Sequence, residues 1–579
     1  MPSGSSVLAL PPRRWVQRAA AGDDAAVAEL AAGLGLPEPL CRLLVQRGHA
    51  EPGIAKRFLR PKLESLHDPF LLTGMHAAVE RVGRAIDRGE PILVHGDYDV
   101  DGVCAAALYT RVLRRLGARA EAFVPHRLTD GYDLSRAGIR RAAELGATLI
   151  LTGDCGIVAH EAVAQAAAAG IDVVVTDHHT PGPELPAAVA VVNPSRADCA
   201  YPEATLCGAG VAFKLCQALA ARHGLAAEEL WYELDLVALA TIADLVPLTG
   251  ENRVLARYGL KVLRETRNPG LRTLLRTAGL DGREELAAGH VSHVLGPRIN
   301  AAGRIGEAFD GVRLLLARDE AEAEPLAQRM EAANRERQAV DQRTLDEALG
   351  LLEAEYDPER DYAVVLAGEG WHPGVIGIVA SRVVERIHRP TVLIAVGAGH
   401  ARGSARSIRG FHLYDALSGC AEHLERFGGH RYAAGLDIEP ARIPAFRQAL
   451  NERARAALTP ADLVPEVEVD LELRLRDATH ELHRYLRHFG PFGTGNPAPV
   501  FAARGVVLAG RPRIAGRDHV KLRLLQDGAQ LEAIGFRMAD RLPALEAARA
   551  LDVAFQLQEN RWNGRVELQA RLVDVRPAE

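Results

Sequence analysis

The chain has 579 residues, a formal net charge of −6, and 48% hydrophobic and 25% charged residues. This ordinary globular balance predicts several domains of roughly 100–200 residues each. The sequence contains no apolar run of about 18 residues, and its short, uncharged start does not fit a signal peptide, so neither a membrane span nor a secreted form is expected.

The seven cysteines are scattered and form no Cys-x-x-Cys pair, which argues against a zinc knuckle or a disulfide framework. A cytoplasmic location fits this cysteine usage best. Because the net charge is negative, any binding to nucleic acid must come from local basic patches.

Residues 1–70 predict a lead-in of short helices, and residues 71–309 predict a domain in which strands and helices alternate. The predicted strands are apolar on both faces, as in a parallel sheet covered by helices. They span residues 91–95, 120–125, 148–152, 172–176 and 188–192.

Three carboxylates, Asp97, Asp99 and Asp101, follow the first of these strands, and after Gly102 a helical pattern begins at Val103. A solvated acidic turn is one interpretation. A calcium-binding EF-hand is excluded, because its twelfth loop position requires Glu and this chain has Leu108 there. Acids this close repel one another, so a folded chain is expected to keep them around a cation at the carboxyl end of the sheet.

Polar residues also follow the third and fourth strands and one helix: Asp154, the run Asp177-His178-His179, and Asp244. Singly, each has a structural explanation, such as a helix cap for Asp154 or a core histidine for His178. Together with Asp99 and Asp101 they predict a site for two divalent ions. Carboxylates with a minority of imidazole favour Mn²⁺ or Mg²⁺ over zinc, and such a pair of ions suits phosphoryl hydrolysis.

Farther along, residues 310–358 predict a connector helix, 359–460 a second α/β domain and 461–579 a small β-barrel. We expect residues 403–409 and 427–435 to form polar loops, where small residues beside Arg let phosphate approach the backbone. The barrel region has a local basic cluster that suits single-stranded nucleic acid. Its members are Arg511, Arg513, Arg517, Lys521 and Arg523.

The stretch 296–306 begins with Gly-Pro, which predicts a rigid, turned loop. Two arginines and an amide on this loop, Arg298, Asn300 and Arg304, suit the phosphates of a strand beside the metals. The alternative is that the arginines pair with interior acids such as Glu307.

These motifs resemble a known group of enzymes. The Asp-Tyr-Asp-Val-Asp-Gly, Asp-His-His and Ala-Asp-Leu-Val-Pro-Leu segments resemble the DHH phosphoesterase superfamily. Residues 124–132, 206–213 and 296–306 resemble its bacterial RecJ branch, the single-strand-specific exonucleases, and the likeness covers nearly the whole chain.

The resemblance implies an α/β fold in which a DHH domain and a DHHA1 domain, joined by a long helix, flank a cleft, with a C-terminal OB-like barrel. It implies a 5′→3′ exonuclease of recombination and repair that releases 5′-mononucleotides from single-stranded DNA by two-metal hydrolysis. A helicase and a single-stranded-DNA-binding protein are the implied partners, and a monomer is expected.

The resemblance also assigns roles to residues. The implied ligands of the two Mn²⁺ or Mg²⁺ ions are His95, Asp99, Asp101, Asp154, His178 and Asp244. Asp154 would bridge the ions, His179 would face the scissile phosphate, Asp177 would orient the histidines and Asp97 would support the ligands. The implied substrate-binding residues are Arg298, Asn300, Arg304, Ser404, Arg406 and His430.

The chain departs from the family pattern at Val100, where Ala is usual, and at Asp133, where Gly is usual. If position 133 needs a positive φ, Asp tolerates it less well than Gly. Two rival functions stay open: a DHH phosphodiesterase or oligoribonuclease acting on small substrates, and a non-catalytic DNA-binding scaffold. The basic barrel and the 296–306 stretch argue against the first, and the full set of acids and histidines argues against the second.

Overall fold

The computed structural model describes residues 12–18, 23–127, 129–131, 133–397, 399–562 and 565–578. These residues form two compact units. The first unit takes the described residues of Ala21–Asn334 and Glu481–Ala498, and the second takes those of Met1–Ala20, Arg335–His480 and Pro499–Glu579. No helix in the described ranges is long and apolar enough to cross a membrane.

The strands, in chain order, are β1 (Arg14–Gln17), β2 (Pro91–Gly96), β3 (Arg119–Phe123), β4 (Leu149–Gly153), β5 (Asp172–Thr176), β6 (Ala190–Val192), β7 (Val364–Glu369), β8 (Thr391–Val396), β9 (Ala401–Arg406), β10 (Arg426–Gly429), β11 (Ala433–Ile438), β12 (Glu466–Val469), β13 (Leu471–Glu472), β14 (Phe501–Leu508), β15 (Arg513–Ala515), β16 (His519–Gln526), β17 (Ala529–Gly535), β18 (Leu551–Trp562) and β19 (Arg565–Pro577).

The α-helices are α1 (Asp24–Leu34), α2 (Glu38–Gln46), α3 (Pro52–Leu59), α4 (Met75–Arg88), α5 (Val100–Arg115), α6 (Arg136–Glu144), α7 (His160–Ala168), α8 (Gly208–His223), α9 (Ala227–Leu230), α10 (Leu234–Ala243), α11 (Gly250–Arg264), α12 (Pro269–Thr277), α13 (Ala288–His290), α14 (Gly296–Ile305), α15 (Phe309–Leu315), α16 (Glu320–Glu355), α17 (Ile376–Ile387), α18 (Leu413–Ser418), α19 (Ile443–Ala457), α20 (His480–Leu486) and α21 (Leu542–Ala547).

The first unit is built on a parallel sheet with the strand order β3-β2-β4-β5-β6. The apolar side chains of these strands are buried on both faces, as their continuous apolar runs predict. In the register, Gly96 at the end of β2 pairs with Gly153 at the end of β4. The acidic segments that follow these strands therefore leave the same edge of the sheet.

The turn from β2 into α5 depends on close backbone contacts. The carboxylate of Asp99 caps α5 by accepting hydrogen bonds from the amides of Asp101 (2.9 Å) and Gly102 (3.2 Å). A β-carbon at position 102 would lie 2.3 Å from the amide nitrogen of Asp97, so only glycine fits. This packing draws the three carboxylates into a compact turn.

The second unit contains a mixed sheet and a barrel. The mixed sheet has the order β10-β11-β9-β8-β7, in which β7 and β8 are parallel and the other pairs are antiparallel. In the barrel, the β14–β16 pairing closes the series β14-β18-β19-β17-β16. The predicted α/β fold with a C-terminal barrel is confirmed. The continuous 36-residue helix α16 begins in the first unit and, from Arg335 onward, belongs to the second.

Two features of the chain differ from the expected layout. The lead-in contains the expected short helices α1, α2 and α3, but it also contains β1, which pairs in parallel with β12 in the second unit. Residues 481–498, expected in the barrel domain, belong to the compact first unit. Neither feature can be predicted from local sequence patterns, because each brings together segments that are far apart in the sequence.

Candidate metal centre

Acids and histidines converge beyond the carboxyl ends of β2, β4 and β5. Three groups have ligand atoms within 4.8 Å of one another. They are Asp97, Asp99 and Asp154; Asp101, His178 and Asp244; and Asp154, His178 and His179. Asp154 and His178 each belong to two of these groups, so the cluster is continuous.

His178 lies in the middle of the cluster. Its Nε2 is 3.1 Å from Oδ1 of Asp154, 3.6 Å from Oδ2 of Asp101 and 3.7 Å from Oδ2 of Asp244. Oδ2 and Oδ1 of Asp101 also accept hydrogen bonds from the amides of Gly208 (2.6 Å) and Ala209 (2.7 Å), at the N-terminus of α8. These helix-terminal amides favour the charged carboxylate.

Asp154 has an unusual backbone for a residue with a side chain. Its φ is 68°, in the left-handed region, and its amide donates to the carbonyl of Thr176 (3.1 Å). A β-carbon on the neighbouring Gly208 would lie 2.4 Å from Cβ of Asp154, so the two segments need glycine there. Strained backbone of this kind is common at functional sites, where the surroundings enforce it.

The cluster has the character of a cation site. Asp97 Oδ1 and Asp154 Oδ1 are buried and, among the described residues, accept no hydrogen bond, since Nε2 of His178 lies 3.1 Å from Asp154 Oδ1 without the direction of one. Buried oxygens without a donor are costly unless a cation binds them. The donor set is rich in carboxylate oxygen with a minority of imidazole, which fits Mn²⁺ or Mg²⁺.

The pKa values of the carboxylates reflect the same crowding. Burial and the neighbouring carboxylates hold the pKa of Asp97 and that of Asp154 well above their usual range. Burial, with Asp101 and Asp99 nearby, raises the pKa of Asp244 to about 8. A bound divalent ion would favour the charged forms and reverse these shifts.

Asp177 organises the histidine pair. Its Oδ1 accepts hydrogen bonds from the amides of His178 (2.7 Å) and His179 (3.1 Å) and from Nδ1 of His179 (2.7 Å). Burial alone would lower the pKa of His179, but the bond to Asp177 and the nearby carboxylates raise it to about 9. The arrangement suits the orienting role predicted for Asp177.

His95 is not part of the cluster, contrary to the expectation that it is a ligand. Its ring is buried, with Nε2 at 3.4 Å from Oγ of Ser135 and Nδ1 at 3.6 Å from Sγ of Cys155. Burial lowers its pKa to about 4. Asp97, expected only to support the ligands, contributes to the cluster instead.

Asp133 does adopt a positive φ, of 78°. Its Oδ1 accepts hydrogen bonds from the amides of Leu134 (2.8 Å) and Gly156 (2.6 Å). The side chain thus ties its own strained turn to the segment that carries Asp154, which glycine could not do.

A cavity of about 230 Å³ adjoins the acid cluster. It is lined by Asp97, Tyr98, Asp99, Arg127, His179, Asn300, Gly303 and Arg304. The guanidinium of Arg127 lies 4.9 Å from the ring centre of Tyr98. Two arginines beside the acids give the cavity the charge that a phosphate group requires.

The 296–306 stretch is a helix rather than the predicted loop. Pro297 occupies the first turn of α14, where its missing amide proton costs nothing. The helix places Asn300 and Arg304 at the cavity, but Arg298 is not among the residues that line it. Arg298 donates hydrogen bonds to the carboxylate of Glu331 (2.7 Å) and to the carbonyl of Val294 (2.7 Å). This is the alternative considered for the arginines, pairing with an acid, although the acid is Glu331 and not Glu307.

The other two residues of α14 lie at the cavity. Oδ1 of Asn300 accepts a hydrogen bond from the amide of Val100 (3.1 Å) and so ties α14 to the start of α5. Arg304 lines the cavity. Gly303 lets the helix approach closely, since a β-carbon there would lie 2.4 Å from the carbonyl oxygen of Tyr98.

In the second unit, the segments predicted as polar loops are mainly strands. Ser404 and Arg406 lie on β9, paired with Gly435 and Ala433 of β11. Arg406 donates to Oγ of Ser404 (3.3 Å) and to the carbonyl of Ala405 (2.8 Å), and burial lowers its pKa. His430 is exposed in the turn between β10 and β11, where its amide donates to the carbonyl of Ala433 (2.8 Å).

Comparisons with known proteins match the chain throughout its length. Three family models match: the DHH family N-terminal domain over residues 91–241, the DHHA1 domain over 360–456 and the RecJ OB domain over 469–574. The single-stranded-DNA-specific exonuclease RecJ of Bacillus subtilis is 39% identical over 98% of this chain and 71% of that protein. Its Escherichia coli counterpart is 37% identical over 94% of this chain and 96% of that protein.

The chain belongs to the RecJ family. The crystal structure of Thermus thermophilus RecJ with Mn²⁺ matches with a TM-score of 0.84 at 34% identity, covering 98% of this chain and 80% of that one. The same RecJ with Mg²⁺ matches with a TM-score of 0.78 at 32% identity, covering 98% and 79%. The family predicted from the motifs is confirmed. The metals bound in these two RecJ structures, Mn²⁺ and Mg²⁺, are the same two metals that the sequence predicts.

Two residues of the RecJ site were missed by the sequence analysis. Arg127 and Tyr98 line the cavity beside the acids. Arg127 falls within the RecJ-like stretch 124–132, which was recognised as a motif without any of its residues being assigned a role. An arginine in a loop that follows a strand of the same sheet was the available signal.

Proposed function

We propose that this RecJ-family chain is a metal-dependent exonuclease that degrades single-stranded DNA from the 5′ end and releases 5′-mononucleotides. The observation that carries the proposal is the continuous acid cluster, in which Asp154 joins two ligand groups. The names of the relatives, single-stranded-DNA-specific exonucleases, support the choice of substrate.

The proposed ligands divide into two sets. Asp97, Asp99 and Asp154 would hold one ion, and Asp101, His178 and Asp244, with Asp154 as the bridge, would hold the other. Two bound divalent ions would activate water and neutralise the charge that develops on the phosphoryl group. His95 is left out of this proposal because Ser135 and Cys155 occupy its ring nitrogens.

The side chains around the cavity would hold the substrate phosphate for this reaction. Arg127 and Arg304 present guanidinium groups, which bind phosphate oxygens in pairs. The hydrogen bond from Nδ1 of His179 to Asp177 fixes that ring at the cavity wall, beside the position proposed for the scissile phosphate. Asn300 keeps α14, and with it Arg304, against the metal-binding turn.

The second unit would bind the rest of the strand. Ser404 and Arg406 on β9 and the exposed His430 in the β10–β11 turn form a polar stretch on one sheet. The basic cluster of β15 and β16 would contact further phosphates, so affinity should fall with salt by about one logarithmic unit per phosphate contact for each tenfold change in salt. A cytoplasmic monomer that works with a helicase and a single-stranded-DNA-binding protein completes the proposal.

The test is digestion of 5′-labelled and 3′-labelled oligonucleotides, as single strands of DNA and RNA and as duplexes, with Mn²⁺ or Mg²⁺. A 5′-labelled DNA strand should yield a labelled mononucleotide as the first product, whereas a 3′-labelled strand should yield a descending ladder. Cleavage limited to dinucleotides or small diesters would favour the small-substrate phosphodiesterase. Binding of DNA without any cleavage would favour the scaffold.

A further inference from the structure

Asp244 is held differently from Asp99 and Asp101. Asp99 and Asp101 each accept hydrogen bonds from two backbone amides. In the described part of the chain, no hydrogen bond reaches the carboxylate of Asp244, and its Oδ2 lies 3.7 Å from Nε2 of His178 with a side chain 28% exposed. The backbone around Asp244 must therefore set its position.

That backbone is itself in an unfavourable conformation. Asp244 caps α10 through the hydrogen bond from its amide to the carbonyl of Ala240 (2.9 Å). The next residue, Leu245, has a φ of 60° and a side chain that is mostly exposed. A leucine in the left-handed region persists only when its surroundings enforce the conformation, and the exposed side chain itself offers little packing to do so.

A segment from far downstream provides the support. Residues 488–497, which we call the strap, pass beside Pro247 and Leu248. The carbonyl of Thr494 accepts a hydrogen bond from the amide of Leu248 (2.8 Å). Gly495, with a φ of 71°, packs so closely that a β-carbon there would lie 2.9 Å from Cβ of Pro247, and one at Gly493 would lie 2.8 Å from Cδ1 of Leu248.

The strap is firmly anchored to the first unit. The buried guanidinium of Arg253 donates to the carbonyls of Phe489 (2.8 Å) and His488 (2.9 Å). The buried side chain of Asn496 donates to the carbonyls of Phe489 (2.8 Å) and Pro491 (2.9 Å) and accepts a hydrogen bond from Arg47. Buried, charge-assisted bonds of this kind keep a segment rigid.

We propose that the strap is a positioning element of the metal centre. By fixing Pro247 and Leu248, it restrains the turn at Leu245 and so holds the carboxylate of Asp244 where Asp101 and His178 also supply ligand atoms. This inference rests on the proposed function, because it assumes that Asp244 binds an ion. The strap lies in the part of the chain matched by the RecJ OB domain model, so it gives that region a role in metal binding that is separate from DNA binding.

Three glycine-to-alanine variants of the full chain test this role. Gly495→Ala places a β-carbon against the rigid ring of Pro247, Gly493→Ala presses on the flexible end of Leu248, and Gly279→Ala is the matched control. Gly279 lies in the same unit with a φ of 67°, but a β-carbon there would meet nothing within 4 Å. The measurements are Mn²⁺ binding by calorimetry and thermal unfolding without metal.

We expect Gly495→Ala to weaken binding of Mn²⁺ by about tenfold or more, the range found when residues that support metal ligands are changed. Gly493→Ala should weaken it less, and Gly279→Ala should bind like the original protein. Both variants carry the cost of alanine at a positive φ, so the metal-free unfolding temperature of Gly495→Ala should fall below that of Gly279→Ala only by the additional cost of the contact with Pro247. If Gly495→Ala does not fold, the Mn²⁺ affinity and unfolding temperature of Gly493→Ala are compared with those of Gly279→Ala instead.

The two levels of the proposal fail in different ways. If the original protein binds no Mn²⁺, or if Asp154→Ala binds it equally well, the proposed metal centre is wrong. If binding requires Asp154 but is equally tight in Gly495→Ala, Gly493→Ala and Gly279→Ala, the metal centre stands and the role of the strap is overturned. A loss of unfolding temperature in Gly495→Ala with unchanged Mn²⁺ affinity would also overturn it, since the strap would then be only structural.

Discussion

The acid cluster of the first unit and the polar stretch of the second unit both lie on α/β sheets, but they are built in opposite ways. The cluster follows the ends of buried parallel strands, where Asp101 and Asp154 are each 1% exposed. Ser404 and Arg406 lie along an antiparallel strand, and His430 is exposed in a hairpin turn. Buried, converging strand ends suit a fixed cation site, whereas an open hairpin suits a long, mobile polyanion.

The largest expected effect comes from Asp154, the acid shared between the two proposed ion sites. We expect Asp154→Ala to lower kcat by at least about 10³-fold, several kcal/mol of transition-state stabilisation. Turnover of labelled single strands at saturating Mn²⁺ measures this loss. Single-strand binding, which we propose depends mainly on the second unit, should persist. If the activity of Asp154→Ala is close to that of the original protein, the acid cluster is not the catalytic metal site, and the proposed division of roles between the cluster and the polar stretch is wrong.

Arg304 tests the wall of the buried site. We expect Arg304→Ala to lower kcat/KM on DNA by about 10²-fold, or about 3 kcal/mol, because the proposed charge-assisted contact with a phosphate beside the acids is lost. Hydrolysis of a minimal activated phosphodiester should fall much less. Arg298→Ala is the control on the same helix. Since Arg298 pairs with Glu331, its loss should lower the unfolding temperature and change both substrates equally. A selective loss on DNA in Arg298→Ala would return that residue to the strand-binding set.

We expect the affinity of the buried centre for Mn²⁺ to depend on pH. The pKa of Asp244 is raised to about 8 in the metal-free protein, so an ion must displace its proton below that pH. Affinity measured by calorimetry should rise between pH 6 and pH 8, by about tenfold per unit for each proton displaced. The Asp244→Asn variant should show a weaker dependence; an unchanged slope would mean that other groups release the protons.

The same shift predicts how the stability of the metal-free protein depends on pH. A carboxyl group with a pKa near 8 in the folded protein and 3.8 in the unfolded chain binds more protons when folded. Its contribution to stability is present below pH 3.8 and is lost as the pH rises towards 8. Thermal unfolding across this window should therefore show a steeper decline without Mn²⁺ than with it.

A smaller effect is expected at the exposed hairpin. His430→Ala should raise KM for single-stranded DNA by about fivefold, the value of one solvated hydrogen bond of about 1 kcal/mol. Mn²⁺ affinity should not change. His400, an exposed histidine in the turn between β8 and β9, gives a matched control, and His400→Ala should have no effect on KM. Equal effects of the two substitutions would assign the loss to general surface charge.

The smallest effect is predicted at Asp133. Replacement by Gly relieves a positive φ, worth about 1–2 kcal/mol. It also removes the hydrogen bonds that the carboxylate accepts from the amides of Leu134 and Gly156, each worth about 1 kcal/mol. The unfolding temperature of Asp133→Gly should therefore change little. A large loss of metal affinity in this variant would show that Asp133 supports the segment of Asp154 more strongly than these values allow.

The parts of the molecule that the sequence predicted share a local cause. The strands of the first unit are contiguous apolar runs, and Asp154, Asp177, His178 and His179 follow directly after them. Their meeting follows from the geometry of a parallel sheet. The Ser404 and Arg406 segments were predicted as loops because small residues weaken the signal of a strand.

Other features needed information that is not local. Pro297 was read as a loop former, although proline is also favoured in the first turn of a helix. His95 has the spacing of a ligand, but its ring packs against Ser135 and Cys155. The β1–β12 pair and the strap join segments that are distant in the sequence, and periodicity within either segment gives no sign of the other.

The position of the strap in the chain also bears on how the protein is made. Leu248 meets Thr494 only after the polypeptide between them has been synthesised. During translation, the turn after Asp244 therefore lacks this hydrogen bond until the strap has been made, and the strap belongs to the last segment of the first unit to leave the ribosome. Contacts between such distant residues form slowly because the intervening chain must first be closed into a loop. A newly made chain should thus acquire its full affinity for Mn²⁺ late, after its parallel sheet has already formed.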